Sequence, residues 1–198
     1  MDNDKLRWKD EVRTKRLWQR QTILNAVRQD LYAQGFLEVE TPVLVKGTCP
    51  DVHIESVETP YGYLVTSTEY QIKRMIVGGF EKLFTLTKNF RAHDCGRYHS
   101  AEFTMLEWAR AHESLSTIED DAIRFIRAAF GTLYPDATTV TFNGHNIDIM
   151  DKPWQRLSCQ EAFKTYLGLE NLGDFSLDAL KASCNAACLE VPNTFTQD

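Results

Sequence analysis

The 198-residue sequence predicts an α+β fold, with helices flanking a mainly antiparallel sheet. Helical and strand-like segments alternate irregularly, and short turns rather than regular crossover helices join the strands. One turn, Asn143-Gly144, is typical of a tight hairpin between antiparallel strands. The hydrophobic fraction of 43% allows a substantial core in a chain of this length.

A long helix and several short strands are predicted in the first part of the chain. Apolar side chains recur at helical spacing over residues 5–34, and Gly35 is a natural C-terminal stop. Residues 36–40 then alternate as a short strand. A hairpin is expected between residues 54–57 and 63–65, because turn-forming residues separate them.

Two longer strands follow a predicted helix over residues 68–77. Residues 83–91 alternate between apolar and polar side chains, which predicts a half-buried strand whose polar face can carry chemistry. Residues 102–110 are the expected antiparallel partner.

Two capping-box patterns predict helix starts in the rest of the chain. Ser116-Thr117-Ile118-Glu119 is expected to open a helix that ends at Phe130, with Gly131 as the stop. Ser158-Cys159-Gln160-Glu161 is expected to open another helix, which ends near Leu167. The remaining predicted elements are hairpin strands over residues 140–142 and 147–149 and a last helix over residues 177–188.

Charge and cysteine usage limit the function classes. A net charge of −6 and a pI of about 5.4 give no support for broad nucleic-acid binding. The five cysteines form no C-x-x-C pair, which favours a reducing, cytoplasmic location. We expect no signal peptide and no membrane partner, because the N-terminus is charged and no long apolar run follows. No metal-ligand set is predicted, since Cys184 and Cys188 lack a histidine partner.

Three segments combine residue types suited to binding an amino acid and a nucleotide. The first is a helix and strand ending in Thr41-Pro42, which alone is an ordinary connection. The second is Thr66-Ser67-Thr68-Glu69, where Ser67 or Thr68 can cap a helix whose first turn carries Glu69. A carboxylate there can pair with an ammonium ion, although a helix-start carboxylate without a ligand is common.

The third segment is the loop between the two longer strands and the strand ends beside it. It carries Arg91, Arg97 and His99, and cationic groups at adjacent strand ends suit a bound triphosphate. The strand that follows contains Glu102-Phe103-Thr104-Met105-Leu106-Glu107-Trp108.

Together the three segments resemble the class II aminoacyl-tRNA synthetases of the lysyl type. The resemblance is strongest to the short lysyl-type paralogues that attach β-lysine to elongation factor P. It implies one partial catalytic domain over residues 1–198, with motif 1 at about 20–44 and motif 2 at about 83–110. No motif 3 is found, so the class II core is expected to be incomplete at its C-terminus.

The resemblance also implies roles for individual residues. Arg91 is expected to be catalytic, holding the α-phosphate of ATP and the carboxylate of the amino acid, while Phe103 stacks on adenine. The amino acid would be bound by Ser67, Glu69 and Glu107. The expected ATP-binding set is Arg91, His93, Arg97, His99, Ser100 and Phe103. Magnesium is implied with ATP, its ligands being expected beyond residue 198, and motif 1 implies a homodimer.

Several positions depart from the lysyl-type pattern. His93 stands where a glutamate reads adenine, and Ser100-Ala101 replaces Asn-Pro. Ala109 replaces a tyrosine that touches the substrate, and Thr68 replaces a proline.

Three functions remain open from the sequence. The first is a ligase that activates lysine or β-lysine as an adenylate and transfers it to a lysine of elongation factor P. The second is a tRNA ligase, disfavoured because no anticodon-binding barrel precedes the catalytic pattern. The third is a non-catalytic dimerising paralogue, or a fragment, without motif 3.

Overall fold

A 23-residue helix, α1 (Glu11–Ala33), is the first element of the computed structural model, which describes residues 10–168 and 176–186. The Asp10 carboxylate caps it by accepting a hydrogen bond from the amide of Val12 at 2.9 Å. After the helix, Gly35 adopts a φ of +79°, which glycine reaches without steric cost and which confirms the predicted stop. Residues 5–9 of the predicted helix lie outside the described residues.

The chain divides into two units, residues 1–152 and 153–198, and the first contains most of the secondary structure. After α1 it comprises β1 (Leu37–Glu38), β2 (Leu44–Val45), β3 (Glu58–Thr59), β4 (Gly62–Leu64), α2 (Glu69–Val77), β5 (Lys82–Phe90), β6 (Glu102–Arg110), α3 (Leu115–Leu133), β7 (Thr139–Phe142) and β8 (His145–Asp148). The expectation of one domain over the whole chain stays a prediction.

The central sheet has the strand order β1-β5-β6. Strands β5 and β6 are antiparallel along their full length, from Lys82 opposite Arg110 to Phe90 opposite Glu102. Strand β1 is parallel to β5, with Leu37 opposite Leu83. The pairing of β5 with β6, and the antiparallel pairs in the two smaller sheets, confirm the predicted α+β class.

One face of the central sheet packs against α1 and α3. Phe84 is fully buried there, and Trp108 meets Phe125 edge-on with ring centroids 5.0 Å apart. The buried cluster comprises Val27, Leu31, Phe36, Phe84, Phe125 and Ala129.

The opposite face of β5 is more buried than the sequence predicted. Thr85 and Asn89 are completely inaccessible to solvent. Helix α2 packs against β5 and β6, so β5 is covered on both faces at these positions. Part of the polar face of β5 is therefore closed to solvent.

A second, three-stranded sheet has the order β2-β4-β3. The predicted hairpin turns where expected, but its first strand is Glu58–Thr59, and the expected strand over residues 54–57 is wrong. Glu55 instead forms a β-bridge to the loop between β5 and β6. Its backbone carbonyl accepts a hydrogen bond from the amide of Ala92 at 2.8 Å. Strand β2 was not predicted, because two residues are too few for a recognisable alternation.

Helix α3 differs from its prediction at both ends. It begins at Leu115 after Ser114, so the capping box expected at residues 116–119 is wrong. The hydroxyl of Ser116 lies 2.7 Å from that of Ser114. Gly131 lies within the helix because apolar spacing continues to Leu133, and Pro135 follows the actual end.

The hairpin of β7 and β8 confirms the Asn143-Gly144 prediction. Asn143 and Gly144 have φ values of +50° and +80°. Positive values at both central positions are those of the type I′ turn, whose twist matches the flanking strands.

In the second unit, α4 (Cys159–Leu167) confirms the second capping box. The Ser158 hydroxyl accepts from the amide of Glu161 at 3.1 Å, and the Glu161 carboxylate accepts from the amide of Ser158 at 2.9 Å. The Glu161 carboxylate also accepts from the Ser158 hydroxyl at 2.8 Å, and the two hydrogen bonds that the carboxylate receives from Ser158 lower the pKa of Glu161. The last helix, α5, is described over Leu177–Ala186, and the predicted end at Cys188 lies outside the described residues.

None of the helices in the described ranges combines the length and the hydrophobicity needed to cross a bilayer.

Candidate functional site

Glu107, on β6, receives hydrogen bonds from the residues that open α2. Its Oε1 atom accepts from the hydroxyl of Ser67 at 2.6 Å. Its Oε2 atom accepts from the backbone amide of Thr68 at 2.6 Å and from the Thr68 hydroxyl at 2.5 Å. The structure thus brings together two of the predicted amino-acid-binding residues, Ser67 and Glu107, and adds Thr68 between them.

A buried threonine pair lies beneath this carboxylate. The hydroxyl oxygens of Thr68 and Thr85 are 2.7 Å apart, and both residues are fully buried. Thr85 is the residue of β5 directly opposite Glu107 on β6. The central sheet and the start of α2 therefore hold Glu107 from two sides.

The negative charge of Glu107 lies near the N-terminus of α2, which is the positive end of the helix. Thr68 occupies the N-cap position, but its hydroxyl makes no capping bond within the helix. The Ser67 hydroxyl instead accepts from the amide of Glu69 at 3.1 Å. The Glu107 carboxylate accepts the Thr68 amide, so it acts as a cap supplied by a neighbouring strand.

Glu69 points along α2 in this structure. Its carboxylate lies 2.5 Å from the ammonium group of Lys73, one turn later, and both side chains are about half exposed or more, at 49% and 65%. This hydrogen bond raises the pKa of Lys73. Glu69 thus follows Thr68 directly in the chain, but its carboxylate pairs with Lys73.

Arg91 and Phe103 lie together at the loop end of the central sheet. The guanidinium carbon of Arg91 is 5.2 Å from the centre of the Phe103 ring, a cation–π arrangement. Arg91 Nε also lies 3.5 Å from the carbonyl oxygen of Thr66, a long contact to the residue before Ser67. Arg91 is therefore next to the segment that holds Glu107.

The other expected ATP-binding residues are exposed. The loop between β5 and β6 exposes Arg97, His99 and Ser100. The guanidinium carbon of Arg97 lies 5.1 Å from the centre of the Tyr98 ring. His93 is 85% exposed, and its Nε2 atom lies 3.4 Å from a carboxylate oxygen of Glu55. Their roles toward ATP stay predictions.

The donor set suits an anion better than a cation at the loop end of the sheet. Arg91 and Arg97 supply fixed positive charge for phosphate oxygens. Within residues 10–168 and 176–186, no three histidine, cysteine or acidic side chains are grouped closely enough to hold a metal ion. The magnesium ligands expected beyond residue 198 stay a prediction.

Comparison with known proteins identifies the family. The family model described as tRNA synthetases class II (D, K and N) matches residues 1–190. The chain belongs to this family. The β5–loop–β6 unit, which carries Arg91, Phe103 and Glu107, covers the residues expected to form motif 2, and that assignment stays a prediction.

Its curated relatives include two kinds of lysine ligase. An elongation factor P–(R)-β-lysine ligase of Salmonella arizonae is 30% identical over 197 residues, which cover 94% of this chain and 54% of that protein. The lysine–tRNA ligase of Methanoculleus marisnigri is 32% identical over 185 residues, covering 85% and 35%. That of Chloroflexus aurantiacus is 33% identical over 181 residues, covering 87% and 36%. The chain thus spans 54% of the first relative and 35–36% of the other two.

The sequence did not reveal that Thr68 and Thr85 contact each other beneath Glu107. Alternation placed Thr85 on the polar face of β5, and Thr68 stood out only as a replacement for proline. Their contacts with each other and with Glu107 depend on how α2 packs against the sheet, which no local pattern encodes.

Proposed function

We propose that this chain forms the amino-acid- and ATP-binding part of a ligase that activates lysine or β-lysine and transfers it to a lysine of elongation factor P. The observation that carries the proposal is that Arg91, Phe103 and Glu107 lie at one face of motif 2. Phe103 and Glu107 are four residues apart on β6, so their side chains share a face. Arg91 lies over the Phe103 ring. A cation for phosphate and a carboxylate for ammonium thus lie on the same face of the sheet.

The proposed chemistry has two steps. The amino-acid carboxylate attacks the α-phosphorus of ATP, forming the acyl-phosphate bond of an aminoacyl-adenylate and releasing pyrophosphate. Arg91 stabilises the charge that develops on the α-phosphate oxygens, and magnesium, when bound, neutralises charge on the outer phosphates. The ε-amine of the acceptor lysine then attacks the activated carbonyl, forming an amide bond and releasing AMP.

The choice of acceptor follows from the relatives. Two of them are named elongation factor P–(R)-β-lysine ligases, and each match covers 94% of this chain. The lysine–tRNA ligases support tRNA as the second candidate acceptor. The net charge of −6 favours the protein acceptor, since tRNA binding usually requires a basic surface. A cytoplasmic location belongs to the same proposal.

We also propose that motif 1 forms a homodimer. Trp18 and Leu17, on α1 just before the residues expected to form motif 1, are 65% and 55% exposed. A groove of about 820 Å³ is lined by Pro42 and Leu44 on one side and by Tyr70 and Val77 of α2 on the other. Apolar surface of this kind usually marks an interface. Sedimentation velocity should give a dimer that the Trp18→Glu substitution dissociates, and a monomeric wild type contradicts this part.

Pyrophosphate exchange tests adenylate formation in the natural full-length protein. Exchange should depend on lysine or (R)-β-lysine, and Arg91→Lys should lower kcat about 100-fold or more, because lysine cannot supply the same fork of donors. The exposed residue Arg13, which pairs with Asp10, provides the control Arg13→Lys. No exchange with either amino acid rules out the ligase.

Acceptor assays separate the remaining alternatives. Transfer of labelled β-lysine to elongation factor P is expected, and charging of bulk tRNA instead would favour the tRNA ligase. Tight binding of magnesium-ATP without exchange would favour a non-catalytic paralogue.

A further inference from the structure

We propose that Thr68 is a positioning residue that prepares Glu107 to accept one ammonium group and to reject a guanidinium. The inference rests on the proposed function, because it takes Glu107 as the carboxylate that meets the side-chain cation of the amino acid. It concerns a contact that the lysyl-type pattern, which has proline at this position, does not supply. Proline has neither an amide hydrogen nor a hydroxyl, so it could supply neither of the two hydrogen bonds that Thr68 donates.

The direction of the hydrogen bonds is determined by the donor inventory. A threonine hydroxyl carries one hydrogen, and that of Thr68 is donated to Glu107 Oε2. The contact of 2.7 Å between the two threonine hydroxyls must then be donated by Thr85. The result is a buried chain from Thr85 to Thr68 to Glu107 that leaves the Thr68 hydroxyl one orientation.

The acceptor positions of Glu107 are nearly filled. An ionised carboxylate offers about four lone-pair positions. Thr68 takes two of them on Oε2, and Ser67 takes one on Oε1. Counting the donors among the described residues, one position remains, on Oε1.

This arrangement has a consequence for substrate choice. One free position accepts a single N–H, which an ammonium group can supply from any of its three hydrogens. A guanidinium binds a carboxylate best through two parallel hydrogen bonds, one to each oxygen, and Oε2 has no position left for the second. The three donors to Glu107 are neutral groups, so none of them supplies a counter-charge that would compete with an incoming cation.

Calorimetric titration of the natural full-length protein with lysine and with arginine tests the inference. Thr68→Val removes the hydroxyl and keeps the shape, and it should weaken lysine binding about ten-fold and reduce the lysine-to-arginine preference. Thr68→Ser keeps both donors and should behave as wild type. Thr41→Val is the matched control, because Thr41 is also buried and its hydroxyl has no hydrogen-bond partner in the described residues.

A double-substitution cycle separates positioning from a general structural role. If Thr68 acts through Glu107, Thr68→Val should have little further effect on binding in the Glu107→Gln background. Equal losses in the two backgrounds would overturn the inference, as would unchanged selectivity in Thr68→Val. If thermal melts show that Thr68→Val is unfolded, Thr85→Val, which removes the donor one step further away, replaces it with the same expectation and the same contradicting result.

The wild-type titration distinguishes the two proposals. A wild type that binds neither lysine nor (R)-β-lysine contradicts the proposed function and removes the basis of this inference. A wild type that binds lysine, with Thr68→Val binding equally well and as selectively, overturns the role of Thr68 alone.

Discussion

The guanidinium of Arg110 donates two hydrogen bonds to the carboxylate of Asp121, at 2.6 Å to Oδ2 and 2.8 Å to Oδ1. Both side chains are buried, with 7% and 1% of their surface exposed. Arg124 donates a further hydrogen bond to Asp121 at 2.7 Å and pairs with Asp30 of α1 at 3.0 Å. The network joins β6, α3 and α1 behind the sheet that carries the candidate site.

We expect Asp121→Asn to lower the free energy of unfolding by about 3–5 kcal/mol, because it leaves Arg110 buried without its counter-charge. Urea unfolding at pH 7 measures the loss. Asp136→Asn, at an exposed position, is the control and should change the free energy by less than about 0.5 kcal/mol. A loss below about 1 kcal/mol for Asp121→Asn would show that the network contributes little.

The same network predicts a stability that depends on pH in the acid range. Burial acts to raise the pKa of Asp121, but the hydrogen bonds from Arg110 and Arg124 outweigh it and hold the pKa below its ordinary value of 3.8. The unfolded chain then binds the proton more readily than the folded chain. The contribution of Asp121 is therefore complete above its unfolded pKa and is lost as the pH falls through the folded pKa.

Unfolding free energies measured between pH 7 and pH 2 test this dependence. Wild type should lose stability below about pH 4, and Asp121→Asn should lose less over the same interval. Parallel curves for the two proteins would assign the acid sensitivity to other carboxylates.

Gly62→Ala should destabilise the sheet of β2, β4 and β3. Gly62 has a φ of +136°, and a Cβ atom there would lie 2.4 Å from the carbonyl oxygen of Val45. The backbone strain alone costs about 1–3 kcal/mol, and the clash adds to it. Thermal melts and amide exchange of β4 measure the effect. Gly47→Ala is the control, because nothing lies within 4 Å of its Cβ position, and an equal effect there would contradict the clash.

Phe84→Ala should cost about 3–5 kcal/mol of unfolding free energy, because the ring is fully buried between α1, α3 and the sheet. Phe142→Ala provides the control at a position that is 62% exposed. Chemical unfolding of both variants gives the comparison, and a loss at Phe84 no larger than at Phe142 would place the core elsewhere.

Several elements could be predicted because their signals are local. The alternation of β5 and the Asn143-Gly144 turn each depend on residues within a few positions of one another. The capping box at Ser158 also depends on a spacing of three residues and formed as expected. The same spacing at Ser116 did not form a capping box, because the helix begins one residue earlier, at Leu115.

The sequence by itself determined the family, the antiparallel pair of β5 and β6 and the candidate residues Arg91, Phe103 and Glu107. Only the tertiary structure decided what surrounds them. Ser67 and Glu107 are 40 positions apart and meet because α2 starts beside the middle of β6. Their contact depends on strand register and helix packing, which many distant residues set together, whereas a sequence pattern records only the conformations that neighbouring residues impose on one another.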